Sequence, residues 1–290
     1  MVRRVGLVTI FGASSACVLT TDLDSLSEPN ATVIVAPSSS SSSSASSSSG
    51  GTEGGVVEAG NDGGVPISNG GPFCSGFPNA TFCTEFGANV ADGWGSIETS
   101  SLGTAQAIND GRSPPFLFRA TIAPGGAGNG NAYLDKAFTS AKYTYVRHSF
   151  DLRVWSVGAD RAETGGIIFN PKVDSTTYGY IPVVRRNREL VLLTQNYGAP
   201  GGGMENYGPT LTTLPAAQWL RITIEVEVSD TAPSTVSLWL DQQQLVTRQV
   251  VDLGLKPSTF ILAQGVYYQR RAGQDSETKL DFDNVLLEAR

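Results

Sequence analysis

From Trp219 to Leu240 apolar and polar residues alternate with a period of two. Leu220, Ile222, Ile224, Val226 and Val228 alternate with Arg221, Thr223, Glu225 and Glu227, and after the polar break 229–234 the alternation resumes at Val236, Leu238 and Leu240. Successive strand residues point to opposite faces, so each run reads as a half-buried strand and the two together as an antiparallel hairpin. The same signal recurs along the chain. Phe116, Phe118, Ala120 and Ile122 share one face of a strand, and Val146, His148, Phe150, Leu152 and Val154 share one face of a longer one. Further strands are predicted at 166–169, 178–184, 189–194, 245–251, 260–268 and 278–287, and no segment sustains a helical period. A hairpin apolar on one face needs a second layer, so the expectation is an all-β fold of two antiparallel sheets packed as a sandwich.

The pattern fails upstream of residue 72. Between Val18 and Gly71 lie the serine tract Ser38–Ser49, broken only by Ala45, and several glycine pairs, with no apolar period that could bury a core. Such a composition predicts a disordered linker over 18–71, leaving 72–290 for the sandwich. Residues 1–17 have two arginines, a short apolar run from Val5 to Ala13, and small residues before Cys17. This is the layout of a secretory signal peptide.

Charge sharpens the picture. Apart from Arg3 and Arg4, every Lys and Arg lies from Arg112 onward, so residues 112–290 are nearly neutral and the net charge of −7 comes from residues 1–111. With no basic stripe, nucleic-acid binding is not expected. Cys74 and Cys83, nine apart among turn residues in an exported chain, are expected to form a disulfide.

Ser14-Ser-Ala-Cys17 resembles the lipobox of bacterial lipoproteins, in which the cysteine becomes the lipid-modified first residue. The same bond after Ala16 also suits an ordinary signal peptidase, but three cysteines leave one unpaired, and lipidation accounts for Cys17. By that resemblance Val18, standing where an inner-membrane protein carries Asp, implies an outer-membrane anchor, and a place in the cell envelope or on its extracellular face. The hairpin that closes on Val236-Ser-Leu-Trp-Leu-Asp241, the final Leu280-Asp-Phe-Asp-Asn-Val-Leu-Leu-Glu288, and Cys83-Thr-Glu-Phe86 followed by Trp94 are similar to laminin G-like domains. These belong to the concanavalin A-like group of lectins and glucanases, and the resemblance implies a jelly-roll sandwich.

Several residues are candidates for chemistry. Asn196-Tyr-Gly and Asn206-Tyr-Gly flank one glycine-rich loop. Asn196, Tyr197, Asn206 and Tyr207 are the expected ligand-binding set, because tyrosine faces stack on sugar rings and carboxamides bond to vicinal hydroxyls. The resulting expectation is a non-catalytic binding domain whose ligand is a carbohydrate or another envelope or matrix component. One alternative is a glycan hydrolase using Glu225, Glu227 and Asp230, which are similar in spacing to the glucanase Glu-x-Asp-x-x-Glu motif but differ from it in the middle and last acids. A second is a structural envelope domain without a small ligand. No cofactor is required by the sequence; Asp281, Asp283 and Asn284 offer oxygens of the kind with which similar jelly-roll domains often hold a structural calcium, but Asp281 and Asp283 share a face with Lys279, and a charge pair on a wet surface explains them as well. His148 falls on an apolar strand face and is expected to be a hydrogen-bonded core residue. Pro124–Asn131, glycine-rich but without the Lys-Ser or Lys-Thr of a phosphate loop, is expected to be a turn.

Overall fold

A computed structural model describes residues 73–290 apart from 114, 126–127, 140–142, 159, 170–176, 198–203, 230, 252, 254–258 and 271–275. Cys17, the signal-like segment, the serine-rich stretch and Asp230 therefore lie outside the described residues. A 3-10 turn, Phe73–Gly76, is followed by β1 (Phe82–Thr84), β2 (Ser96–Thr99), β3 (Gly103–Ile108), β4 (Leu117–Ile122), β5 (Gly128–Thr139), β6 (Tyr145–Ser156), β7 (Arg161–Phe169) and β8 (Thr177–Arg185). Then come β9 (Glu189–Tyr197), β10 (Met204–Tyr207), β11 (Thr212–Thr213), β12 (Trp219–Glu227), β13 (Ser234–Leu240), β14 (Gln243–Val251), β15 (Thr259–Arg270) and β16 (Thr278–Ala289).

The strands form two antiparallel sheets of eight, as the alternation predicts. The first runs β14-β13-β12-β6-β16-β4-β3, with β1 added on β16, and the second runs β10-β9-β8-β7-β15-β5-β2, with β11 added on β9. The Trp219–Leu240 hairpin forms with Ile224 opposite Leu238, and β12 pairs on its other side with β6. Inward residues of the two sheets meet in one apolar layer. Phe118, Phe150 and Phe282 from the first sheet and Phe169 and Phe260 from the second are fully buried there. Rings such as Phe118 and Phe282, with centroids 5.6 Å apart, contribute stacking beyond area burial. Gly128–Asn131 is the first part of β5, not a turn. The Cys74–Cys83 disulfide is formed and closes the 3-10 turn onto β1.

The outer face of the first sheet carries a buried ionic layer. Asp281 is 0 % exposed and accepts from Arg119 Nε at 2.6 Å, Arg153 Nε at 2.9 Å and Trp155 Nε1 at 2.6 Å. Asp151 bonds Arg221 at 3.0 Å and the Asn284 carboxamide at 2.8 Å, and the Arg221 guanidinium lies 4.8 Å from the Phe73 ring centre.

This layer takes in Asp281, Asp283 and Asn284, the residues that offer oxygens to calcium. Asp281 is occupied by two guanidinium groups and an indole. Asp283 accepts backbone N–H bonds from Ser113 and Asn284, both at 2.8 Å, and so ties the 111–113 segment to β16. Asn284 has φ 49° at the register break between β16 and β6, a conformation asparagine tolerates better than most residues. The Asp281 and Asp283 oxygens serve arginines, an indole and backbone N–H groups, Asn284 Oδ1 is buried without a partner among the described residues, and among those residues no group of three or more His, Cys, Asp or Glu could hold a metal ion.

Candidate functional site

Each sheet has one outward face, and the chemistry of the second is the more unusual. Register places outward residues of β2, β5, β15 and β7 side by side. Glu98 lies opposite Tyr133, Tyr133 opposite Gly265, and Tyr267 opposite both Asn131 and Glu163. The Tyr133 and Tyr267 rings meet edge to face with centroids 6.3 Å apart. Gly265, at φ 140°, is the floor between them, and an added Cβ there would come within 2.4 Å of the Ala132 carbonyl oxygen. Only glycine fits, because both the backbone conformation and the space exclude a side chain.

Two β-bulges create this juxtaposition. β15 and β7 pair in step from Phe260 opposite Phe169 to Gln264 opposite Gly165, and then resume at Tyr267 opposite Glu163, with one extra residue on β15. β7 in turn has one extra residue against β8, between Glu163 opposite Val183 and Ile167 opposite Tyr180. A one-residue slip exchanges the faces of a strand. Without the β15 bulge, Tyr267 would stand against Ala162, a core residue. Pro182 sits in the bulged stretch of β8, where it has no N–H to donate, and its carbonyl accepts from Thr164 Oγ1 at 2.9 Å.

The electrostatics follow from this burial. Glu163 is 9 % exposed, and desolvation pushes its pKa from the ordinary 4.5 up to about 8, with Glu205 adding to the rise and Arg161 opposing it. Burial, reinforced by Glu98 and Asp135, holds the Tyr133 phenol far above its usual range and keeps it protonated. Asp135 lies two residues along β5 from Tyr133. Burial raises its pKa, and the Ser96 hydroxyl, donating to Oδ2 at 2.9 Å, partly offsets the rise. Glu98 is raised as well, by burial and then by Asp135. Arg161 bonds Glu205 at 3.1 Å and lies 4.2 Å from the Tyr207 ring centre, and Tyr207 Oη donates to Glu205 at 2.9 Å. Beyond them, Ile181, Val183, Val191 and Leu193 form a second apolar cluster against which Tyr207 packs. Clusters of perturbed acids and phenols on one face are typical of sites that move protons.

The sequence-predicted residues are distributed differently from expectation. Asn196 and Asn206 do not join the tyrosines on one face, because β9 and β10 pair as a hairpin in which neighbouring residues alternate sides. Among the described residues Asn196 Oδ1 is buried without a partner, Asn206 is exposed, and Tyr207 reaches the cluster. Tyr197 ends β9, and its side chain lies outside the described residues. Glu225 and Glu227 share an outward face, as expected, but on the other sheet. Glu225 accepts from Tyr145 Oη at 2.8 Å, and Glu227 accepts from Arg248 at 2.7 Å. His148 is a core residue as expected, 0 % exposed, with its pKa lowered to about 3 chiefly by burial. Glu163, Tyr267, Tyr133, Asp135 and Arg161 escape sequence reasoning. One local signal is Arg161-Ala-Glu-Thr-Gly-Gly, a charged pair beside two glycines.

No family model matches this sequence, and no curated protein matches it. Among solved structures the fold is similar to that of endo-β-1,4-glucuronan lyase from the fungus Trichoderma reesei, with a TM-score of 0.55 and 16% identity over 72% of this chain and 95% of that one. It is also similar to the PL-14 alginate lyase from Aplysia kurodai, with a TM-score of 0.51 and 9% identity over 73% of this chain and 99% of that one. At such identities the likeness is one of fold. It supports the two-sheet sandwich, and it corrects the expectation of a non-catalytic domain, because the similar structures are named as polysaccharide lyases.

Proposed function

We propose that this chain is a polysaccharide-cleaving enzyme that acts by β-elimination on a glycan containing uronic acids, with its active site on the outer face of the second sheet. The observation that carries the reading is the pairing of a buried Glu163 with Tyr267, beside Arg161 and next to the protonated Tyr133. The similar lyase folds add weight.

Elimination at a uronosyl residue needs three functions. The sugar carboxylate must be neutralised so that the neighbouring C5 proton becomes acidic, a base must take that proton, and an acid must protonate the departing O4. Arg161 neutralises the carboxylate with its guanidinium. Glu163, next but one to Arg161 on the same strand face and raised by burial to a pKa of about 8, takes the C5 proton. Tyr133 donates its phenolic proton to O4, the C4–O4 bond breaks, and a C4–C5 double bond remains. No water is consumed. A hydrolytic route through Glu225 and Glu227 fits less well, because both carboxylates are already bonded within their own sheet.

The test is digestion of glucuronan and alginate, following ultraviolet absorbance of unsaturated uronate ends alongside new reducing ends. Both should rise together, and Tyr133→Phe and Glu163→Gln should abolish the rise. Reducing ends without absorbance would mean hydrolysis, and no cleavage across acidic and neutral polysaccharides would end the enzymatic reading. We also propose that the enzyme works in the cell envelope, held by a lipid on Cys17. The charged, apolar and small-residue order of the first 17 positions supports this.

A further inference from the structure

The sandwich core contains two polar side chains that packing alone does not explain. His148, on β6 of the first sheet, and Gln264, on β15 of the second, are both 0 % exposed. His148 Nε2 donates to Gln264 Oε1 at 3.1 Å, and Gln264 Nε2 donates to the Thr164 carbonyl at 3.0 Å. His148 Nδ1 has no partner among the described residues. An apolar pair would fill the same space without stranding a ring nitrogen, so the polar pair calls for a role.

Its location supplies that role. Gln264 is the last residue before the β15 register break, and Thr164 lies between Glu163 and Gly165, where the β7 bulge begins. Gly165 has φ 144°, and a Cβ there would come within 2.9 Å of Gln264 Nε2, so the amide lies directly against the bulged backbone. The Thr164 carbonyl thus takes a bond from a side chain anchored to the opposite sheet. We infer that His148 and Gln264 are positioning residues: a pin through the core that holds both bulges, and so keeps Glu163 and Tyr267 opposite one another on the outer face. This rests on the active-site reading above. His148 touches no substrate and acts only through Gln264.

The experiment compares His148→Phe, Gln264→Leu, their double variant and the conservative His148→Gln in the full chain. It measures kcat, KM and the pH profile of uronate-polysaccharide cleavage, together with thermal unfolding and an NMR titration of the Glu163 carboxyl. A displacement of about 1 Å at the site lowers the rate on the order of a hundredfold. The double variant should therefore stay folded and lose kcat by about that factor with a smaller change in KM, and its Glu163 titration should move toward the ordinary range. His148→Gln, which keeps a donor for Gln264 Oε1, should restore most of the rate. Wild-type kcat and pH profile in a folded double variant would overturn the inference, as would unfolding of all three apolar variants, which would make the pair a folding element only. If the wild-type protein cleaves no polysaccharide, the functional proposal fails by itself. The pin then stands or falls on whether the Glu163 titration moves.

Discussion

Replacing Glu163 by Gln should make the protein more stable, and more so as pH rises. The side chain is 9 % exposed, and its folded pKa stands at about 8 against an ordinary 4.5. Below pH 4.5 the carboxyl is protonated whether the chain is folded or not, so it adds no pH dependence. Between 4.5 and 8 the unfolded chain releases the proton while the folded chain keeps it, and stability falls with rising pH. The slope is ~1.4 kcal/mol per pH unit, and over the whole window the loss reaches about 5 kcal/mol. Above pH 8 both states are ionised and the slope vanishes. Gln has nearly the same shape and no charge, so Glu163→Gln should match the wild type near pH 4 and exceed it increasingly toward pH 8. Urea denaturation at closely spaced pH values reads this directly. Parallel stability curves for the two proteins would refute the reasoning, because Glu163 would then ionise as freely in the folded state as in the unfolded one.

Three other perturbations have expected outcomes. His148 has its pKa lowered to about 3, so the unfolded chain takes up a proton below pH 6.5 that the folded chain refuses; stability should drop between pH 6.5 and 3, and His148→Gln should flatten that limb in acid unfolding. Asp281→Ala leaves Arg119 and Arg153 without their buried carboxylate and should cost about 3–5 kcal/mol in thermal or urea unfolding, whereas chelation of divalent ions should leave Tm unchanged. Cys17→Ser should release the protein from the membrane fraction and change the size of the precursor, and unchanged partitioning would remove the anchor.

How far the fold was legible depended on how strongly each strand alternates. β6 and β12 carry long period-two runs because one face of each packs against the opposite sheet, so their faces, and the core position of His148, could be read residue by residue. β2, β3 and β10 could not, because their positions are mostly half-buried or exposed and leave little contrast between faces. Asp281 shows the converse limit. An acid on an alternating strand reads as a wet surface, yet here Arg119, Arg153 and Trp155 cover it, and all three partners are remote in the chain.

The candidate site was hidden for a more specific reason. Glu163 and Tyr267 lie far apart in sequence, and even correct strand assignments, paired in unbroken register, would set Tyr267 against a core-facing alanine. A single added residue on β15 reverses that relation, and nothing in the apolar pattern marks where the added residue falls. What marks it is a conflict among neighbours: glycines at 165, 166 and 265 where a strand gains nothing from them, a proline at 182 in mid-strand, and a glutamine at 264 where the alternation calls for an apolar residue. Each breaks the rule for a buried strand, and together they fall on the stretch where β15, β7 and β8 lose their step. Local rules fail where the backbone is bent to serve a site. In this chain the failures therefore point to the chemistry more directly than the acidic spacing of Glu225 and Glu227.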